Sequence, residues 1–129
     1  MTSIMMSTVQ TYAKTVRKNY KAGETIFHEG AVELSMFGVL EGEVEMTLQG
    51  KFIETIGAGG IFGIGAIVHS DHRRASTAIA KTDCVLVVMD REHFLFAVQQ
   101  TPMFALEVIQ NYSDRYRSLK VAYEKVIAP

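Results

Sequence analysis

The sequence predicts a mainly β fold with flanking α-helices, a β-roll or jelly roll of about eight short strands with an N-terminal helix and C-terminal helices. Three observations predict it. Short runs rich in β-forming residues follow one another from Tyr20 to about Asp90, separated by Gly-containing turns. Glycines cluster between Gly38 and Gly65, where strand corners demand unusual backbone angles. Outside this region the apolar residues recur at helical rather than strand spacing.

Met5, Val9, Tyr12, Ala13 and Val16 are spaced 4, 3, 1 and 3, which places them on one face of a helix within residues 1–19. The strand candidates are Thr25–His28, Met36–Leu40, Glu43–Leu48, Lys51–Ile56, Ala75–Ala80 and Cys84–Met89. In the third, Val44, Met46 and Leu48 alternate with Glu43, Glu45 and Thr47, so one face is expected to be buried and the other wet. Gln49-Gly50-Lys51 reads as a tight hairpin. Asp90 is placed to cap a helix whose first turn holds Glu92 and His93. Thr101-Pro102 starts a second helix, since Pro at the first position loses no intrahelical bond. Along that helix Ala105, Ile109, Tyr112, Tyr116, Leu119, Tyr123 and Val126 are spaced alternately 4 and 3, a narrow seam that predicts a homodimer contact through the C-terminal helix. The whole of 1–129 reads as one domain, with the roll at 20–90 and the C-terminal helices at 91–127.

Composition narrows the function classes. At 48% hydrophobic and 21% charged residues, the chain is globular in character, and its net charge of -1 offers no electrostatic ground for nucleic acid or an anionic membrane as partner. No apolar run approaches the roughly 18 residues of a membrane span, and the basic residues near the N-terminus follow the apolar ones, the reverse of a secretory signal. Cys84 is the single cysteine and lies in an apolar strand, so it reads as a buried thiol and excludes an intrachain disulfide. A cytoplasmic protein is expected. His69, Asp71 and His72 lie close together but in a loop without a distant further ligand, so no metal is expected. No motif surrounds a Ser/His/Asp set or a carboxylate pair, and the chain is not expected to be an enzyme. Arg115, Arg117 and Lys120 read as a charged helix flank.

One segment resists a purely structural reading. The first half of Gly57-Ala58-Gly59-Gly60-Ile61-Phe62-Gly63-Ile64-Gly65-Ala66-Ile67-Val68 is too Gly-rich for a good strand and too short for a long helix, and a short helix here would offer unpaired N–H groups to an anion. Arg74 follows ten residues after Ile64, with Ala75, Ser76 and Thr77 behind it. Arg grips phosphate bidentately, and a small residue lets backbone N–H groups approach as well.

Gly23-Glu24-Thr25-Ile26-Phe27-His28-Glu29-Gly30, Met36 to Val44, and Phe62-Gly63 with Arg74-Ala75-Ser76-Thr77 together resemble the cyclic nucleotide-binding domain family, shared by catabolite activators, regulatory subunits of cyclic AMP-dependent kinase and cyclic nucleotide-gated channels. The resemblance implies a phosphate-binding cassette at 59–77. In it Arg74 pairs with the cyclic phosphate, Ala75 and Ser76 add backbone or hydroxyl donors, and Gly63, Gly65 and Ala66 form the cassette helix. The spacing selects Arg74 over Arg73. The family motif reads Phe-Gly-Glu, its Glu accepting the ribose 2′-hydroxyl, and Ile64 stands in its place. Ile64→Glu is therefore expected to tighten binding. At the position of the purine-contacting hydroxyls of catabolite activators the chain has Leu119 and Lys120.

The implied function is a stand-alone sensory and regulatory module that binds cyclic AMP or cyclic GMP, needs no other cofactor, and signals through its terminal helices to an unknown protein partner or through its own homodimer. The chain stops at Pro129, with no DNA reader, channel or kinase segment expected after it. The alternative is a degenerate, non-binding module used for protein interaction or dimerisation.

Overall fold

The computed structural model describes residues 4–12 and 16–128. In chain order these form α1 (Ile4–Tyr12), β1 (Arg17–Tyr20), β2 (Thr25–Phe27), β3 (Ser35–Glu41), β4 (Val44–Leu48), β5 (Lys51–Ile56), β6 (Ile61–Phe62), α2 (Gly65–Val68), β7 (Thr77–Ala80), β8 (Cys84–Asp90), α3 (Arg91–Gln100) and α4 (Pro102–Ile127). The strands make two antiparallel sheets, ordered β1-β8-β3-β6 and β2-β7-β4-β5. The jelly roll with an N-terminal and C-terminal helices is thus the observed fold.

The core has two compartments, and β3 and β8 serve both. Between the sheets lie Phe27, Phe37, Val39, Val44, Met46, Phe62, Leu86 and Cys84. On the outer face of the first sheet, Met36, Val87 and Met89 meet Met5, Met6 and Val9 of α1 and Phe94, Phe104 and Val108 of the C-terminal helices. Alternate residues of one strand enter alternate compartments, so β3 and β8 are apolar from Met36 to Leu40 and from Cys84 to Met89, as a strand covered on both sides must be. At Gly38 a side chain of α1 crowds the sheet: a Cβ there would lie 3.0 Å from Val87 Cγ1 and 3.1 Å from Met6 Cε. A glycine lets the helix settle against the sheet at that point.

Three sequence expectations change. The N-terminal helix does not run through residue 19: Arg17–Tyr20 is a strand, paired with Val87–Cys84 at the sheet edge. Residues 1–3 and 13–15, which that helix also included, lie outside the described residues. In β4, Val44 and Met46 are buried but Leu48 is 43% exposed and Thr47 is buried instead. The register against β5 shifts between Met46 and Thr47, an irregularity of the bulge type that interrupts the alternation. Two strands absent from the sequence expectation, β1 and the two-residue β6, complete the first sheet.

Local chemistry accounts for the remaining joints. Gln49 and Gly50 both have positive φ, 52° and 78°, as the two-residue hairpin between β4 and β5 requires. The Asp90 side chain accepts a hydrogen bond from the His93 N–H at 2.8 Å and caps α3, and Pro102 opens α4. Cys84 is buried, its Sγ 3.2 Å from the carbonyl oxygens of Glu43 and Thr82.

Candidate functional site

A cavity of about 250 Å³ opens between the roll, α2 and α4. Gly63, Gly65, Ala66, Arg74, Ala75 and Ser76 line it, together with Phe27, Met46, Glu54, His69, Tyr112 and Arg115. Six of the seven cassette residues expected from the sequence are therefore brought to one wall. The seventh, Ile64, is turned the other way. Its side chain is 7% exposed, packs in the helix-side core, and lines a separate groove of about 500 Å³ with Val68, Phe94, Val98, Val108 and Ile109.

Arg74 is held from every side. Its residue exposure is 3%, yet it enters no apolar vacuum. Nε and Nη2 donate to Oε1 of Glu33 at 3.2 and 2.9 Å, Nη2 to the Ser35 hydroxyl at 3.1 Å, and Nη1 to the Gly63 carbonyl at 2.8 Å. Below it lies an aromatic platform: the guanidinium carbon is 4.1 Å from the Phe27 ring centroid, and Phe37 and Phe62 stack at 5.1 Å and 10°. A buried guanidinium requires this combination of a carboxylate, neutral acceptors and π-faces. Gly63 adapts the chain to it. Its φ of +84° suits glycine, and a Cβ would fall 2.7 Å from Arg74 Nη1, so a side chain there would be strained and would displace the guanidinium. Arg73, by contrast, is exposed and donates to the Gly30 carbonyl at 2.9 Å.

β5 and α4 also contribute to the lining, through residues that the sequence did not mark as part of a site. Arg115 makes a bidentate pair with Glu54, Nε to Oε1 at 3.0 Å and Nη2 to Oε2 at 3.1 Å. Its Nη1 donates to the Ile61 carbonyl at 2.7 Å and to Asn111 Oδ1 at 3.3 Å, and its guanidinium lies 4.2 Å from the Tyr112 ring centroid. Burial opposes the charge on Arg115, but the hydrogen bonds and charge of Glu54, together with Tyr112, outweigh it and raise its pKa above the usual guanidinium value. The Tyr112 hydroxyl accepts the Ile64 N–H at 3.3 Å, tying α4 to the start of α2. The α4 residues that face the cavity are thus Tyr112 and Arg115, not Leu119 and Lys120, which lie further along the helix. No single signal in the sequence could have paired Glu54 with Arg115, which are 61 residues apart. Arg115 alone stood out, and only as one member of a charged helix.

His69 lines the cavity, while His72 Nδ1 is 2.8 Å from the Ala66 carbonyl oxygen and is occupied in holding the loop to α2. Among the described residues, no group of three or more His, Cys, Asp or Glu side chains is arranged to hold a metal ion. No helix among them is long and apolar enough to cross a membrane.

Residues 17–101 match the cyclic nucleotide-binding domain family. The chain is 34% identical over 94 residues to a cGMP-dependent protein kinase of Eimeria tenella, a match that covers 73% of this chain and 9% of the kinase. It spans about a tenth of the length of the curated relatives it matches. Among solved structures, the Thermus thermophilus catabolite activator protein superposes with a TM-score of 0.76 at 22% identity, covering 95% of this chain and 58% of that one. The c-di-GMP-responsive regulator CLP of Xanthomonas campestris superposes with a TM-score of 0.80 at 18% identity, covering 96% and 66%. At such identities these two speak for the fold. The family match, the relatives and the jelly roll agree, and the chain belongs to the cyclic nucleotide-binding domain family, a regulatory rather than a catalytic one.

Proposed function

We propose that this chain is a sensory module that binds cyclic AMP or cyclic GMP in the cavity between the cassette and α4, with Arg74 facing the cyclic phosphate, and that it signals by moving α4. The observation that carries the reading is the convergence of Gly63, Gly65, Ala66, Arg74, Ala75 and Ser76 on one cavity. Arg74 supplies the charge-assisted donor, and the exposed Ala75 leaves the neighbouring backbone open to a phosphate. The Arg115–Glu54 pair and the Tyr112–Ile64 hydrogen bond give a ligand two contacts through which to shift α4. Calorimetric titration with each cyclic nucleotide tests this. Binding is expected in the micromolar range or weaker, since a ribose hydroxyl without its acceptor loses about 1–3 kcal/mol.

A second reading, a non-binding interaction module, draws on two observations. Glu33 already occupies Arg74, and Ile64 offers no ribose acceptor. Titrations without heat change or displacement for either nucleotide would select it.

Both readings include a homodimer through α4. Tyr116, Tyr123 and Val126 are 66%, 63% and 79% exposed, so the C-terminal part of the seam is left largely uncovered by its own roll. Ala105, Tyr112 and Leu119 are half-buried, and Tyr112 packs on the chain's own core. Tyr123→Glu is expected to shift sedimentation toward the monomer without lowering thermal stability of the monomer. A wild type that sediments as a monomer at high micromolar concentration would reduce the seam to an exposed stripe.

A further inference from the structure

Two arginines face the cavity, and they are not equivalent. Arg74 engages a single oxygen of Glu33, whose side chain is 38% exposed and hydrated. Arg115 is matched by both oxygens of Glu54, and those side chains are only 18% and 21% exposed. Both pairs balance in charge, but in the second the carboxylate is matched at both oxygens and better shielded from water, so it opposes more strongly any anion the guanidinium attracts. An uncharged ring with N–H donors suits it better. Resting on the reading of the cavity as a cyclic nucleotide site, we propose that Glu54 and Arg115 form its base-reading end and that they select guanine over adenine.

The chemistry of the two bases makes the choice. Guanine carries N1–H and the N2 amino group side by side, two donors that one carboxylate accepts together. Its O6, beside them, is an acceptor for a guanidinium N–H. Adenine offers the same carboxylate one donor group, the N6 amine, next to the N1 lone pair, so the second oxygen of Glu54 would face another acceptor. The hydrogen bonds already made leave this possible: each Glu54 oxygen accepts one bond from Arg115 and keeps lone-pair capacity, and Arg115, with Nη1 engaged by Ile61 and Asn111, keeps one Nη2 N–H for O6. The Tyr112 ring, against the Arg115 guanidinium and tied through its hydroxyl to Ile64, gives the pair a fixed aromatic backing. A bidentate base contact discriminates by about tenfold or more.

The test is titration of wild type and Glu54→Gln with cyclic GMP, cyclic IMP and cyclic AMP, the inosine compound being guanine without its N2 amino group. Wild type should bind cyclic GMP about tenfold or more tighter than cyclic AMP, with cyclic IMP between them, and Glu54→Gln should bring the three within about threefold. A denaturant unfolding midpoint close to that of wild type shows that the variant is folded. If Glu54→Gln does not fold, the wild-type order of the three nucleotides decides. Equal binding, an adenine preference, or a guanine preference that survives Glu54→Gln overturns the base-reading role while the sensing function stands. No binding of any of the three by wild type overturns the sensing function and this inference with it.

Discussion

Arg74→Ala is expected to weaken cyclic nucleotide binding by about tenfold or more and to lower the unfolding free energy by about 2–3 kcal/mol. Arg73→Ala is expected to change neither appreciably. The two effects have different sources. Affinity falls because the phosphate loses a charge-assisted donor. Stability falls because Arg74 closes a network no smaller side chain can replace: Glu33 just before β3 and Ser35 at its start, the Gly63 carbonyl before α2, and the faces of Phe27 and Phe37. The cost is held below that of a fully buried ion pair because Glu33 remains partly hydrated once its partner is gone. Arg73 is exposed and gives up a hydrogen bond to a carbonyl that water can reach. Urea unfolding and calorimetric titration of the same preparations separate the arms. A stable Arg74→Ala protein would contradict the packing described for the guanidinium. A destabilised one with unchanged affinity would move the anion site elsewhere.

Ile64→Glu is expected to lose about 2–4 kcal/mol of stability at pH 7.5. On the sequence alone the substitution restores a ribose acceptor, and the gain in affinity remains the test of that idea. The fold attaches a cost to it. The Ile64 side chain points into the helix-side core with Met5, Ile67, Phe94 and Phe104, and into the apolar groove, while the neighbouring Gly63 and Gly65 face the cavity. A carboxylate in the isoleucine's position is desolvated, so its folded-state pKa rises above the unfolded value near 4.3. A raised carboxyl pKa penalises the folded state wherever the unfolded chain is already ionised. The deficit relative to wild type is therefore full at neutral pH, shrinks as pH falls, and is relieved in its charge part below about 4.3. Denaturant unfolding at pH 7.5 and 4.5 measures the difference. A variant as stable as wild type at both would mean that the carboxylate swings past Gly63 into the cavity, the outcome under which tighter nucleotide binding also follows.

The elements that could be read from the residues are those specified by neighbours in the chain. β5 runs from Lys51 to Ile56 as expected, β3 and β8 differ by a residue or so at their ends, the Gln49-Gly50 turn is a two-residue hairpin, and Asp90 and Pro102 open their helices. Hairpins, caps and period-2 runs are local, so local chemistry suffices for them. The cassette was legible for a different reason: the spacing from Gly63 to Arg74 is a motif, and the fold brings both to one wall. What escaped depends on closure of the roll. Arg17-Lys18-Asn19-Tyr20 has no apolar pattern and is a strand only because the edge of β8 offers it hydrogen bonds. Leu48 is exposed because the β4–β5 register slips beside it. Periodicity says that Ile64 is apolar, but not which of two adjoining compartments receives it. Glu33 meets Arg74 across 41 residues and Glu54 meets Arg115 across 61. Such pairs are set by the return of β7 into its sheet and of α4 over the roll, and no window of neighbouring residues contains either partner's reason for being there.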